Sequence, residues 1–216
     1  MTLSISHDSR ITVTAPKRFS EKQILQLLDR QSGWIEKKVR HYQKLAAQYP
    51  AKKYQPGEVF LFLGQPYPLE ITESETRAVR TEDGKLKVFA SAADLRGEEG
   101  ENIASILRAW YEGMAAETLK TRIAFYEAKM HLKSGPVKVR TLQRQWGSCG
   151  LSGVLCFNAR LLMAPLPILD YVVVHELSHL THHNHSPHFW NLVGSVLPDF
   201  RERRKWLREH GNFLNF

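Results

Sequence analysis

The stretch from Ile168 to His182 constrains this chain more than any other. The apolar lead-in Ile168-Leu169-Asp170-Tyr171-Val172-Val173-Val174 runs directly into His175-Glu176-Leu177-Ser178-His179, and Leu180 extends it. A helix this apolar on nearly every face has to be buried. The three valines favour a strand, because β-branched side chains lose rotamer freedom in a helix. A strand, however, cannot bring His175 and His179 to one point, whereas residues four apart share a helical face. Two imidazoles on that face, with Glu176 alongside, make a clamp for a zinc ion and a water next to it. The sequence therefore predicts a buried helix over Ile168–His182. It makes His175 and His179 metal ligands and Glu176 the proton acceptor.

A catalytic zinc site takes three protein ligands and leaves one position open. His182 and His183 are still on or beside the same helix, which climbs too far per turn for three ligands to converge. The chain must turn back. After Asn184, a residue tolerant of left-handed backbone, come His185-Ser186-Pro187-His188-Phe189-Trp190. Ser186 is suited to cap a new helix with Pro187 at its first position, which puts His185 at the corner. His185 is the favoured third ligand, with His188 and Glu202 as alternatives. Asp199 and Glu202 are candidates to orient a ligating imidazole, and Asp199 after Pro198 is also a candidate helix cap.

Several segments together carry a family resemblance. They are Arg144-Gln145-Trp146-Gly147-Ser148-Cys149, Phe157-Asn158-Ala159-Arg160-Leu161, Asp170 to Leu177, Asn184-His185-Ser186-Pro187 and Phe189-Trp190. In them the chain resembles the YgjP-like metallopeptidases, relatives of the SprT-like zinc proteases. The resemblance spans nearly the whole chain. It implies a small zincin-like fold with His175, His179 and His185 as ligands of one zinc ion, Glu176 as base, and a peptide or protein substrate. Cys156 stands at a strand position that is usually aliphatic, and Ala159 stands where the family has Trp. Both departures fall beside the expected metal position and bear on substrate preference.

The remaining pattern is that of an α+β protein. Leu3–Ile5 and Ile11–Val13 alternate as a hairpin. A helix follows over Ser20–Ala47, capped by Ser20 and bent at Gly33. Strands fall near Val59–Leu63 and Tyr67–Ile71 around a Gly64-Gln65-Pro66 turn, and near Lys85–Phe89. Ser91–Gly100 reads as a linker. A long helix over Glu101–His131, strands at Val137–Gln143 and Val154–Asn158, the metal helix and C-terminal helices complete the order. Two regions result: 1–97, a strand-helix-strand region, and 98–216, a zincin-like catalytic half. The edge of a strand beside the metal helix could bind an extended peptide. Trp146 and Trp190 are expected in the core.

The 216 residues carry a net charge of +8, spread over three predicted helices. Arg201, Arg203, Arg204, Lys205 and Arg208 share the last of these with Trp206 and Leu207, so they read as the solvated face of an amphipathic helix. Weak, sequence-independent contact with nucleic acid is the most this distribution supports. The N-terminus lacks a basic segment followed by a long apolar run, and no long uninterrupted apolar run occurs. The expectation is a cytoplasmic protein without a membrane partner. Cys149 and Cys156 flank the turn Gly150-Leu151-Ser152-Gly153 and are expected to be reduced.

Three function classes are compatible with these residues. The leading one is a zinc-dependent peptidase, in which Glu176 moves the protons and His188, Tyr171 or Arg160 could steady the developing oxyanion. A metal-dependent nucleotide pyrophosphatase would use the same metal and the basic charge, but the chain has no P-loop and no carboxylate cluster suited to magnesium. In a non-catalytic metal- or nucleic-acid-binding module, Glu176 would have no special role.

Overall fold

A computed structural model of the chain describes residues 1–95 and 101–216. It is α+β, and the described chain divides into units Met1–Ala51 and Lys52–Phe216. The division follows packing. Strands between Lys52 and Ala90 bury Phe60, Leu69, Leu86 and Val88 in the same core as the long central helix. Of the expected linker, Ala92–Leu95 form a short helix. The rest of it, with the expected 97/98 boundary, lies outside the described residues.

In the first unit, β1 (Thr2–Ile5) and β2 (Ile11–Thr14) form the expected antiparallel hairpin, with Leu3 opposite Val13 and Ile5 opposite Ile11. Helix α1 (Glu21–Arg30) starts at a capping box in which the Ser20 hydroxyl accepts from the Gln23 N–H and the Gln23 side chain accepts from the Ser20 N–H. The single long helix expected over Ser20–Ala47 is two, because the chain breaks at Gln31 before α2 (Ser32–Gln48). Gln31 sits near φ −102°, ψ 8°, and its N–H bonds back to Leu27 and Leu28, so the last turn tightens and stops. Gly33 lies in the first turn of α2 and is not the point of the break.

In the second unit, β3 (Val59–Phe62), β4 (Gln65–Glu73), β5 (Ala78–Glu82) and β6 (Lys85–Ala90) form a sheet in the order β3-β4-β6-β5. The hairpin between β3 and β4 turns on Leu63 and Gly64, both left-handed at φ 49° and 80°, which is the two-residue turn that matches strand twist. It is placed one residue earlier than the expected Gly64-Gln65-Pro66 turn. Strand β5 is an addition to the expected elements. Its signal was the Asp83-Gly84 pair, left-handed at φ 53° and 71°, closing a second tight hairpin onto β6.

The short helix Ala92–Leu95 is α3, and α4 (Glu101–Met130) is the spine of this unit. Ile103, Leu107, Tyr111, Ala115, Leu119 and Ile123 recur every fourth residue and are buried, one ridge facing the core. His131, left-handed at φ 53°, ends it. Strands β7 (Val137–Arg140), β8 (Gly147–Cys149) and β9 (Leu155–Asn158) form a second sheet in the order β7-β9-β8. Cys149 pairs with Leu155 and Cys156 pairs with Ser148. The one-residue offset puts the two thiols on opposite faces of the sheet, and both are free. Helices α5 (Leu166–Ser178), α6 (Pro187–Val196) and α7 (Phe200–His210) follow. Among the described residues no helix is long and apolar enough to cross a membrane.

Candidate metal centre

Helix α5 is buried at nearly every position from Ile168 to Ser178, as its composition requires. It is tied to the spine by Arg122, whose Nε and Nη2 donate to Asp170 at 2.6 and 2.7 Å. This bidentate pair allows a carboxylate to sit in the first turns of a buried helix. At its other end α5 is shorter than expected. His179 is its cap, and Leu180 and Thr181 donate three residues back to Leu177 and Ser178. That tightening ends the helix at the second histidine and lets the chain double back. As expected, Ser186 caps α6 by accepting from the Phe189 N–H, with Pro187 at the first helical position.

The reversal brings His185 to the pair on α5. Ligand atoms of His175, His179 and His185 all lie within 4.8 Å of one another, and the Nε2 atoms of His175 and His185 are 3.1 Å apart. The alternatives His188 and Glu202 are not part of this group. The exposed His188 stacks near His182 instead, and Glu202 is exposed on α7. His179 Nδ1 stands 3.0 Å from the His182 carbonyl oxygen, so an N–H there leaves the Nε2 lone pair facing the cluster. Burial, then the neighbouring imidazoles and the Arg204 guanidinium, push His175 down to about 3. His185 is lowered by burial and by the charges of His179 and Arg204. Both are therefore neutral donors at physiological pH.

Glu176, one residue after the first histidine, is 5% exposed. Burial raises its carboxyl from the ordinary 4.5 to about 8. The side chain lies flat against β8, where a Cβ added to Gly147 would stand 2.7 Å from both Cγ and Oε1 of Glu176. Only glycine lets the strand and the carboxylate approach this closely. The loop leading into β8 is held by the fully buried Asn158. Its amide nitrogen donates to the carbonyls of Leu142 and Gln145 at 2.8 and 2.9 Å, and its Oδ1 accepts from the Leu142 and Arg160 N–H groups.

Arg160 serves the same loop. It donates to the Leu142 carbonyl and to Asn215 Oδ1, and its guanidinium lies 5.3 Å from the Trp146 ring centre. That engagement ties Arg160 to the loop. Tyr171, one helical turn before His175, has its ring 5.8 Å from that imidazole, and burial raises its phenol to about 12. Asp199 stands at the start of α7 without a side-chain cap bond and accepts from Arg203 Nε at 2.9 Å. Trp146, half-buried, packs on Gly211, where a Cβ would stand 2.7 Å from the indole. Trp190, expected in the core, is also half-buried and stacks on His185 with ring centres 5.5 Å apart. Gly147 and Asn158 stand in the segments that carry the family resemblance, but the sequence assigns neither a role. A glycine in a three-residue strand carries no periodic signal, and Asn158 acts on a loop more than ten residues earlier.

Comparison with known proteins puts the chain among the metallopeptidases. It belongs to the YgjP-like family, whose metallopeptidase-domain model matches residues 1–210. Among curated proteins none matches. Two solved structures are similar over part of the chain. The metallopeptidase zymogen of Pyrococcus abyssi abylysin is 23% identical over 42% of this chain and 93% of its own, with a TM-score of 0.37. The metallopeptidase zymogen of Methanocaldococcus jannaschii jannalysin is 16% identical over 42% of this chain and 94% of its own, with a TM-score of 0.39.

Proposed function

We propose that the chain is a zinc-dependent peptidase in which His175, His179 and His185 hold one zinc ion and Glu176 is the base. The observation that carries this reading is the approach of three histidine ring nitrogens beside a buried carboxylate, in a chain of a metallopeptidase family. The donor set fits the metal. Two nitrogens bound tetrahedrally to one zinc at about 2.0–2.1 Å stand about 3.3 Å apart, close to the 3.1 Å between the His175 and His185 Nε2 atoms. Two protonated nitrogens would not face each other at that distance.

A zinc ion held there would lower the pKa of a water to about 7 and polarise the scissile carbonyl. The residues of the chain do the rest. The Glu176 carboxylate accepts the proton of the attacking water and returns it to the leaving nitrogen. Gly147 fixes where that carboxylate sits. Strand β8 pairs with β9 along one edge, and no strand pairs with its other edge among the described residues. An extended peptide added to this edge would have its backbone beside Glu176.

Metal content and turnover test this reading together. The purified protein should hold about one zinc, and alanine at His175, His179 or His185 should sharply weaken that binding. Glu176→Gln should keep zinc while peptide hydrolysis falls roughly 100-fold or more. Full zinc retention in His185→Ala would overturn the ligand set, and undiminished turnover in Glu176→Gln would overturn the mechanism.

A further inference from the structure

Beside the histidine cluster, α6 and α7 border an open surface pocket of about 380 Å³ lined by Trp190, Phe200 and the exposed Arg201, Arg204, Lys205 and Arg208. Its charged residues follow the helical spacing i, i+3, i+4 and i+7, which gathers four cations on one face of α7. No carboxylate lines the pocket, and none of the four makes an ion pair among the described residues. The adjacent Arg203, by contrast, is satisfied by Asp199 and by the Pro167 carbonyl. Like charges this close destabilise one another unless an anion joins them.

The pocket is also joined to the metal centre. The Arg204 guanidinium lies 4.6 Å from the centre of the Trp190 ring, and the same indole stacks on His185. Trp190 is thus a wall common to the pocket and to one of the three histidines.

We propose that this pocket is a substrate subsite for a carboxylate, carried by an acidic side chain near the scissile bond or by the C-terminus of the peptide. The proposal rests on the peptidase reading above. Guanidinium groups held over aromatic rings are planar, pre-oriented donors that match a carboxylate two bonds at a time. The cations converge on one small concavity against the wall of the metal centre, and do not run as a stripe that would track a nucleic-acid backbone. An anion bound there places the rest of an extended peptide toward the histidines.

Binding and cleavage are measured separately to test it. Zinc-loaded Glu176→Gln protein, which leaves peptide intact, is titrated at physiological salt with neutral octapeptides amidated at the C-terminus. One glutamate is walked through the sequence in turn, and a further neutral peptide keeps its free carboxylate. One glutamate position, or the free C-terminus, should bind about tenfold more tightly than the neutral amidated peptide, the scale of a charge-assisted hydrogen bond. Whichever it is identifies the source of the carboxylate. Adding Arg204→Gln and Arg208→Gln should bring that ratio within about twofold of one, with Arg201→Gln and Arg208→Gln singly giving partial losses if the double variant does not fold. Equal affinity for all peptides, or a preference that survives these substitutions, overturns the subsite. So does a short single-stranded oligonucleotide that binds more tightly than any acidic peptide and is lost in the same variants. Wild-type cleavage of the same peptides separates the two readings. Cleavage without charge preference sinks the subsite alone, whereas charge-dependent binding with no cleavage sinks the peptidase reading and leaves an anion site.

Discussion

Removing the charge of Glu176 should make the metal-free protein more stable at neutral pH, although it destroys the proposed base. Burial raises this carboxyl from 4.5 to about 8. A carboxyl with a raised folded pKa contributes most stability below its unfolded value, and that stability is lost as pH rises through the window between the two values. Each unit is worth 1.36 kcal/mol, so integration between pH 5 and pH 8 gives a loss of about 3 kcal/mol in the wild type. Glu176→Gln has nothing to ionise and escapes that loss. The assay is urea unfolding of both proteins in chelator at pH 5, 6, 7 and 8. The difference in unfolding free energy should widen in favour of the variant by about 3 kcal/mol across this range. The titrations of His175 and His185 are common to both proteins and cancel in the difference. Saturating zinc should shrink it, because a cation beside the carboxylate favours its ionised form. A difference that stays constant from pH 5 to pH 8 would refute the claim that burial dominates this group.

Two further outcomes follow from packing. Gly147→Ala puts a methyl 2.7 Å from Cγ and Oε1 of Glu176, so the carboxylate must move; peptide turnover should fall about 100-fold with zinc content unchanged, and loss of zinc in step with activity would contradict a displaced base. Arg122→Ala leaves the Asp170 carboxylate, 7% exposed, without its bidentate partner. The cost should be about 3 kcal/mol in denaturant melts, and a change below about 1 kcal/mol would show that water reaches the carboxylate instead.

The parts of the site that were legible in sequence are those with short-range geometry. His175, Glu176 and His179 were set by helical spacing, and the corner at His185 by the Ser186-Pro187 start of α6. The α4 ridge from Ile103 to Ile123 was likewise plain from its period. What escaped depends on contacts far apart in the chain. Strand β8 has three residues, too few to show a period of two, so neither its existence nor the closeness of Gly147 to Glu176 could be read. Strand β5 is mostly polar, and only the Asp83-Gly84 turn signalled it. The partners of Arg160, the Leu142 carbonyl and Asn215, are brought to it only by folding. The cations of α7 are exposed, as a solvated face requires; what a sequence does not tell is that Trp190 and Phe200 border the same face.

The left-handed turn at Leu63 and Gly64 does more than join two strands. Its two amides donate to the carbonyls of Leu162 and Met163 at 2.7 and 3.2 Å, and Gly64 has Pro165 so close that a Cβ would meet its backbone at 2.9 Å. The start of the metal helix is thereby docked on a hairpin about a hundred residues upstream, and closing a loop of that length costs on the order of 4 kcal/mol in chain entropy before any contact repays it. The hairpin and the spine helix can form locally and early, while this docking must wait for the intervening chain to be made and collapsed. Helix α5 is accordingly expected to seat late in folding. Slow exchange of the Leu63 and Gly64 amides would report, from a position well away from any histidine, whether the active helix has been seated.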